Sequence, residues 1–266
     1  MEDSGKSSSA STLTSHEHIR RLEEFSLNAW PALSEVGHDG WRLRFADGYT
    51  GRSNSVQVLE HGTLDVREKI RFCEEEYARR EIPLLFKMTA AARPEGLDGV
   101  LGGLGYRAFN HTSVQVAALP GALPGGAADR DVHHSVRLSD GWLSALLAFR
   151  PIPHRQVPTL RAILGAIALP TYFALLVEEE RPVACGLGVL EREWVGLFDI
   201  VTRPDARRRG HATQIVRSIL NWARGRGATH AYLQVMRENE PAIRLYDKLG
   251  FCDTYSYWYR SRPKAT

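Results

Sequence analysis

Three apolar runs packed between residues 171 and 202 constrain this chain more than any other feature in it. In "TYFALLVEEERPVACGLGVLEREWVGLFDIVT" they are separated only by "EEERP" and "ERE". Polar breaks that short turn a chain straight back on itself, so the stretch reads as an antiparallel meander of three strands. The order then alternates. Residues 210–224 carry Ala212, Ile215, Val216, Ile219, Leu220 and Ala223 at helical spacing. Residues 229–236 read as a strand, 240–249 as a helix and 253–260 as a strand. Upstream, "VRLSDGWLSALLAFR" predicts a strand, a turn and a helix capped by Ser139 or Asp140, with a further helix at 158–168. A meander that runs into alternating helices and strands is mixed α/β (α+β) with a largely antiparallel start.

The helix at 210 starts in a basic turn, "VTRPDARRRGHATQIV". The first-turn amides and the positive end of the helix dipole favour an anion there. Gly210 lets the backbone approach a bulky phosphate, and Arg207, Arg208 and Arg209 add donors around it. Taken alone, the arginine triplet also fits a solvated turn or a nucleic-acid patch. A second motif follows in "VMRENEPAIRLYDKLGF". Asn239 stands at a helix cap and Pro241 in the first turn, where a missing amide hydrogen costs little. Ala242, Leu245 and Leu249 form its buried stripe, and Gly250 ends it. Asn239 and Tyr246 are two helical turns apart and share a face that could line a cleft, although a tyrosine by itself is as readily a packing residue.

Together the two motifs resemble the GNAT superfamily of acyl-CoA-dependent N-acyltransferases. The resemblance lies in Arg207-x-x-Gly210-x-Ala212 and in Asn239-x-x-Ala242-x-x-Leu245-Tyr246-x-x-x-Gly250-Phe251, and it covers residues 132 to 260. It implies acetyl-CoA as co-substrate. By the same resemblance, the backbone of Ile200, Val201 and Thr202 pairs with the pantetheine arm. Arg207, Arg208, Arg209, Gly210, His211, Ala212 and Thr213 surround the phosphates. Asn239 bonds the pantetheine or acyl region, and Tyr246 protonates the departing thiolate. An attacking amine must also lose a proton. In the branch similar to ribosomal-protein N-terminal acetyltransferases a glutamate takes it, and here that position is Gln234, whose amide cannot. Glu193 and Asp199 remain as carboxylates. Asp199, flanked by Phe198 and Ile200, is the candidate catalytic one, and a strand bulge decides whether it reaches the cleft.

Slid against itself by 145 residues, the chain lays Ile70 on Ile215, Ala78 on Ala223, Arg79 on Arg224, Glu95 on Glu240, Leu104 on Leu249 and Gly105 on Gly250. These are core and cap positions, so a duplicated unit is expected. Gly62, Asp65 and Arg67 then fall on Arg207, Gly210 and Ala212, while Pro94 and Leu101 fall on Asn239 and Tyr246, so the first copy lacks the chemistry. The expected architecture is two GNAT-like units, each a mixed, largely antiparallel twisted sheet flanked by helices. The expected boundaries are a disordered tail at 1–18, a degenerate unit at 19–118, a Gly/Pro/Ala linker at 119–131 and a catalytic unit at 132–266. In the first unit, the polar turn with Arg52, Ser53 and Asn54 is expected either to face the acceptor site or to be a plain hairpin loop.

A formal net charge of +3 does not predict a polyanion partner, and no nucleic acid is expected. Cys73, Cys185 and Cys252 are far apart with no C-x-x-C pair, which suits a reduced, cytoplasmic protein. No apolar run is long enough for a membrane span, and the paired histidines lack metal-site spacing, so neither membrane nor metal is expected. The expected activity is acetyl transfer from acetyl-CoA to a primary amine of a small molecule or amino acid, by a monomer or homodimer. Acetylation of a protein N-terminus or lysine, and a non-catalytic acyl-CoA sensor, are the alternatives.

Overall fold

The meander at 171–202 consists of β7 (Thr171–Glu178), β8 (Arg181–Glu191) and β9 (Trp194–Thr202), paired antiparallel in sequence order. The computed structural model that shows it describes residues 7–119 and 132–262. These residues group into two compact units: Ser113–Thr254, and the residues up to Thr112 together with those from Tyr255 onward.

In the unit Ser113–Thr254, β6 (Val132–Ser135) pairs antiparallel with β7. On the other side β10 (His230–Met236) pairs parallel with β9, and α6 (His211–Arg224) forms the crossover between them. Side chains alternate across a sheet, so each face carries every second residue. Ala174, Ala184, Val195, Leu197, Ala231 and Leu233 share one core with Ile215, Val216, Ile219 and Leu220 of α6. Glycines let that helix sit close: a Cβ on Gly186 would stand 2.5 Å from Ile215 Cγ2 and 2.6 Å from Ile200 Cδ1. On the other face Phe173 and Leu187 stand opposite each other. There Trp142 of α4 (Asp140–Phe149) packs edge-on against Phe173 at 5.1 Å. Its Nε1 donates to the carbonyls of Ala174 and Gly186 at 3.0 and 3.2 Å. Ser139 caps α4 by accepting from the Trp142 amide. A 3₁₀ turn at His154–Gln156 leads into α5 (Val157–Gly165), and α7 (Glu240–Asp247) follows β10.

In the other unit, β1 (Ser34–His38), β2 (Trp41–Phe45) and β3 (Val56–Gln57) pair antiparallel in order. β3 then pairs parallel with β4 (Phe86–Met88) across the crossover helix α2 (Val66–Arg79). α3 (Leu97–Gly103) follows, and β4 pairs antiparallel with Trp258–Arg260 of β11 (Cys252–Ser261). Trp41, Leu43, Phe45, Ile70, Tyr77, Phe86 and Leu101 make its core. Lys87 and Glu23, 2% and 0% exposed, form an ion pair at 2.5 Å. Tyr255 donates to Glu23 at 2.7 Å, and the Lys87 ammonium lies 4.1 Å from the Tyr257 ring centroid.

Two of the expected boundaries differ in the structure, and the polar turn follows its hairpin reading. The tail expected to reach residue 18 is helical from Ser7 onward, in α1 (Ser7–Ala29), and only residues 1–6 of it lie outside the described residues. Ile19, Leu22, Phe25 and Ala29 bury one stripe of that helix, a pattern the polar N-terminal residues ahead of it obscure. Of the linker, 120–131 lies outside the described residues, and the division between units runs instead through β5 (Arg107–Ala118) and β11. Arg52, Ser53 and Asn54 serve their own hairpin. Asn54, 2% exposed, accepts from the Ala46 and Gly48 amides and donates to the Tyr49 and Thr50 carbonyls, as a buried amide must. Ser53 donates to the Pro31 carbonyl and Arg52 lies over the Trp30 ring.

Candidate active site

β9 and β10 pair only from Trp194/His230 to Leu197/Leu233. Beyond that point a cleft of about 600 Å³ lies within the unit Ser113–Thr254, lined by Ile200, Val201, Thr202, Arg207, Arg208, Gly210, His211, Ala212, Asn239, Pro241, Ala242, Leu245 and Tyr246. Two stretches of sequence, 200–212 and 239–246, thus converge on one cleft. Arg209 and Thr213 belong to the same turn and helix but lie outside its lining.

The turn into α6 has an unusual backbone. Arg208 and Gly210 adopt φ of +62° and +87°, the left-handed region that glycine enters without strain. A Cβ on Gly210 would meet nothing within 4 Å, so glycine is required there by conformation and not by crowding. Gly210 is the N-cap of α6 and offers no side chain to its first amides, which have no partner inside the helix. Arg207, Arg208 and Arg209 are exposed and make no ion pair among the described residues, whereas Arg203 holds Asp205 at 2.6 Å. His211, 4% exposed, has both ring nitrogens without a hydrogen-bond partner, with Glu178 3.5 Å from Nδ1. Donors, charge and space all suit a phosphorylated ligand.

On the other wall, Asn239 caps α7, its Oδ1 accepting from the Ala242 amide at 3.3 Å. Its side-chain NH₂ is left for another acceptor. Tyr246 is the deepest residue of α7, where the expected stripe of Ala242, Leu245 and Leu249 is only partly buried. Its ring packs edge-on against Phe251 at 5.8 Å, and burial pushes its phenol up to about 12. The hydroxyl makes no hydrogen bond within the protein among the described residues, so it stays a protonated donor at the cleft.

Asp199 sits on a bulge. Cys185 pairs with Val201 and Leu187 with Phe198, so Asp199 and Ile200 stand opposite Gly186 alone. Asp199 adopts φ of +46° and turns from the cleft wall to the face carrying α4, where Arg150 donates to its Oδ1 at 3.0 Å. Glu193 precedes β9 at the far end from Ile200, roughly 20 Å away along the strand. Its carbonyl accepts from the Thr229 and His230 amides, and it takes no part in the site. Arg150 has no signal in the sequence beyond ending a helix before a proline, since only the folded sheet supplies its partner.

Over residues 14–260 the chain matches the family described as "Probable histone acetyltransferase Rv0428c C-terminal". The chain belongs to that family and is a GNAT-type acyltransferase. This acyltransferase is 27% identical over 247 residues to the uncharacterized N-acetyltransferase YobR of Bacillus subtilis (strain 168), covering 91% of this chain and 98% of that one. Its fold is similar to that of a GCN5-related N-acetyltransferase from Kribbella flavida, with a TM-score of 0.68 at 18% identity, over 92% of this chain and 95% of that one. It is also similar in fold to a tandem GNAT protein from the clavulanic acid biosynthesis pathway, with a TM-score of 0.61 at 10% identity, over 92% and 89%. Among the described residues no cluster of His, Cys, Asp and Glu could hold a metal, and no helix is long and apolar enough to cross a membrane.

Proposed function

We propose that the enzyme moves the acetyl group of acetyl-CoA to a primary amine of a small molecule or amino acid. The observation that carries this reading is the convergence of the arginine turn, the open end of β9, and Asn239 with Tyr246 on one cleft. Acetyl-CoA supplies an activated thioester. The amides from Gly210 to Ala212, with Arg207 and Arg208, hold its phosphates, and His211 closes the helix side, with Arg209 and Thr213 beside the cleft on the same turn and helix. The backbone of Ile200, Val201 and Thr202 aligns the pantetheine arm, and the Asn239 NH₂ bonds it near the acyl end. The amine nitrogen bonds to the acyl carbon and the carbon–sulfur bond breaks. Sulfur takes its proton from Tyr246, the amine proton leaves across the parted strands to Asp199 Oδ2 on the opposite face, and both groups re-equilibrate with water.

The first unit fits a degenerate copy in a tandem arrangement. α2 and α6 have bounds that coincide when the chain is slid by 145 residues, and Gly105 and Gly250 follow with φ of +85° and +84°. Each unit holds one parallel strand pair closed by such a crossover helix. At the position of Gly210 the first unit has Asp65, whose carboxylate accepts from the Arg67 and Glu68 amides. Asp39 takes the Thr63 and Leu64 amides just ahead. Backbone donors that face an anion in the second unit are bonded to the protein's own acids in the first. Val56 and Gln57, matching the cleft residues Val201 and Thr202, stay paired to β4.

The test is acetyl-CoA binding by calorimetry combined with thiol release across an amine panel, for wild type and Tyr246→Phe. The reading expects both to bind and the variant to lose roughly 10²-fold or more in kcat. A sensor would bind in both forms and acetylate nothing. Because Tyr246 must stay protonated and its phenol sits at about 12, kcat should show no descending limb from this group below pH 11.

A further inference from the structure

Asp199 and Arg150 form an ion pair that is only half made. The Asp199 side chain is 4% exposed and that of Arg150 40%. One bond joins them, while Asp199 Oδ2 and Arg150 Nε are both buried without a partner. Buried charged atoms left unbonded are costly, and such atoms mark a place where a ligand or water completes the set. The strain is local as well: Asp199 holds a left-handed backbone that aspartate adopts only at some cost.

The pair stands where the β9/β10 ladder ends, one residue before Ile200 of the cleft wall and on the opposite face of the sheet. Neither side chain lines the cleft, but an amine approaching a thioester there from that face of the parted strands would meet them. The loop after Arg150, "RPIPHRQ", adds His154 and Arg155 and contains no acid. The nearest upstream acid, Asp140, is already bonded to Arg161. That loop is therefore basic, with the Asp199 carboxylate bonded to its first residue.

We infer that the acceptor is an amine with a carboxylate on the adjoining carbon, a free α-amino acid, with its ammonium on Asp199 Oδ2 and its carboxylate on Arg150. This rests on the acetyltransferase reading above and narrows it. A cationic peptide tail is repelled by the same loop, and a neutral amine leaves the guanidinium unanswered.

The experiment measures kcat/KM by thiol release for a set of α-amino acids, their α-amides and tetralysine. The amides keep the amine and remove only the negative charge. Wild type should favour an acid over its amide by about tenfold or more, the range of one charge-assisted hydrogen bond. Arg150→Gln should bring that acid down to the level of its amide, and Arg150→Lys should restore part of the preference. Arg155→Gln should cause a smaller loss that fades with added salt. Acetyl-CoA affinity, measured by calorimetry on each variant, separates a recognition effect from a shifted bulge. Turnover of the amides or tetralysine at least equal to that of the acids, or no acid turned over above the amine-free rate, overturns the proposal. Failure of wild type to bind acetyl-CoA would instead remove the acetyltransferase reading on which it rests.

Discussion

Substitution at Gly210 separates charge from conformation at the α6 N-terminus. Gly210→Ala adds a Cβ that meets nothing within 4 Å, so its only cost is the φ of +87°. Holding an L-residue there costs about 1–2 kcal/mol, which lowers Tm by a few degrees in a chain of this size. The helix amides stay free, and acetyl-CoA affinity should fall by less than about tenfold. Gly210→Asp carries a similar strain, so its stability should be close to that of the alanine variant. Its carboxylate, however, adds a negative charge beside those amides, on a left-handed backbone unlike the φ of −59° from which Asp65 caps α2. Two like charges about 4 Å apart near a protein surface repel by about 4 kcal/mol before salt screening. A net loss of about 3 kcal/mol, a hundredfold or more in Kd, is the expected result. Calorimetric titration of acetyl-CoA at fixed salt, alongside thermal melts, reads both quantities. Equal affinity in the aspartate variant and wild type would refute a phosphate site on these amides, and equal losses in both variants would assign the effect to backbone shape alone.

Gly186→Ala should destabilise the enzyme by about 1–3 kcal/mol in urea titration, because the new methyl drives into Ile215 and Ile200. It should also raise KM for acetyl-CoA through the displaced Ile200, and a variant with unchanged KM would show that the bulge is not what aligns the cleft wall. In the other unit, Lys87→Met leaves Glu23, 0% exposed, without its cation, which should cost about 3–5 kcal/mol of stability. Adding Glu23→Leu should recover most of that loss, and a double variant no better than the single one would mean that packing, and not charge, dominates there.

Much of the frame of the candidate site was legible in the sequence because its signals are local. A cap, a proline in a first turn and a glycine after the last one are decided within four or five residues, so α6, α7 and their termini lie within two residues of where the pattern puts them. The short breaks of the meander are of the same kind. Arg150 and the role of Asp199 were not legible, since a bulge depends on the register between two strands, and one residue of slip reverses which face a side chain meets. α1 was hidden for a different reason: its buried stripe follows a polar, small-residue lead-in that gives no periodic signal of its own.

What the sequence determined by itself, then, was the order of elements and the identity of the two motifs, because backbone preferences and hydrophobic period act over short range. Only the tertiary structure decided that the arginine turn, the open end of β9 and the α7 face share one cleft. It also decided that Asp199 leaves that wall to meet Arg150, and that Asn54 serves its own hairpin. Those outcomes depend on which strands part and which groups find partners once water is excluded, and such terms are settled between residues that are remote along the chain.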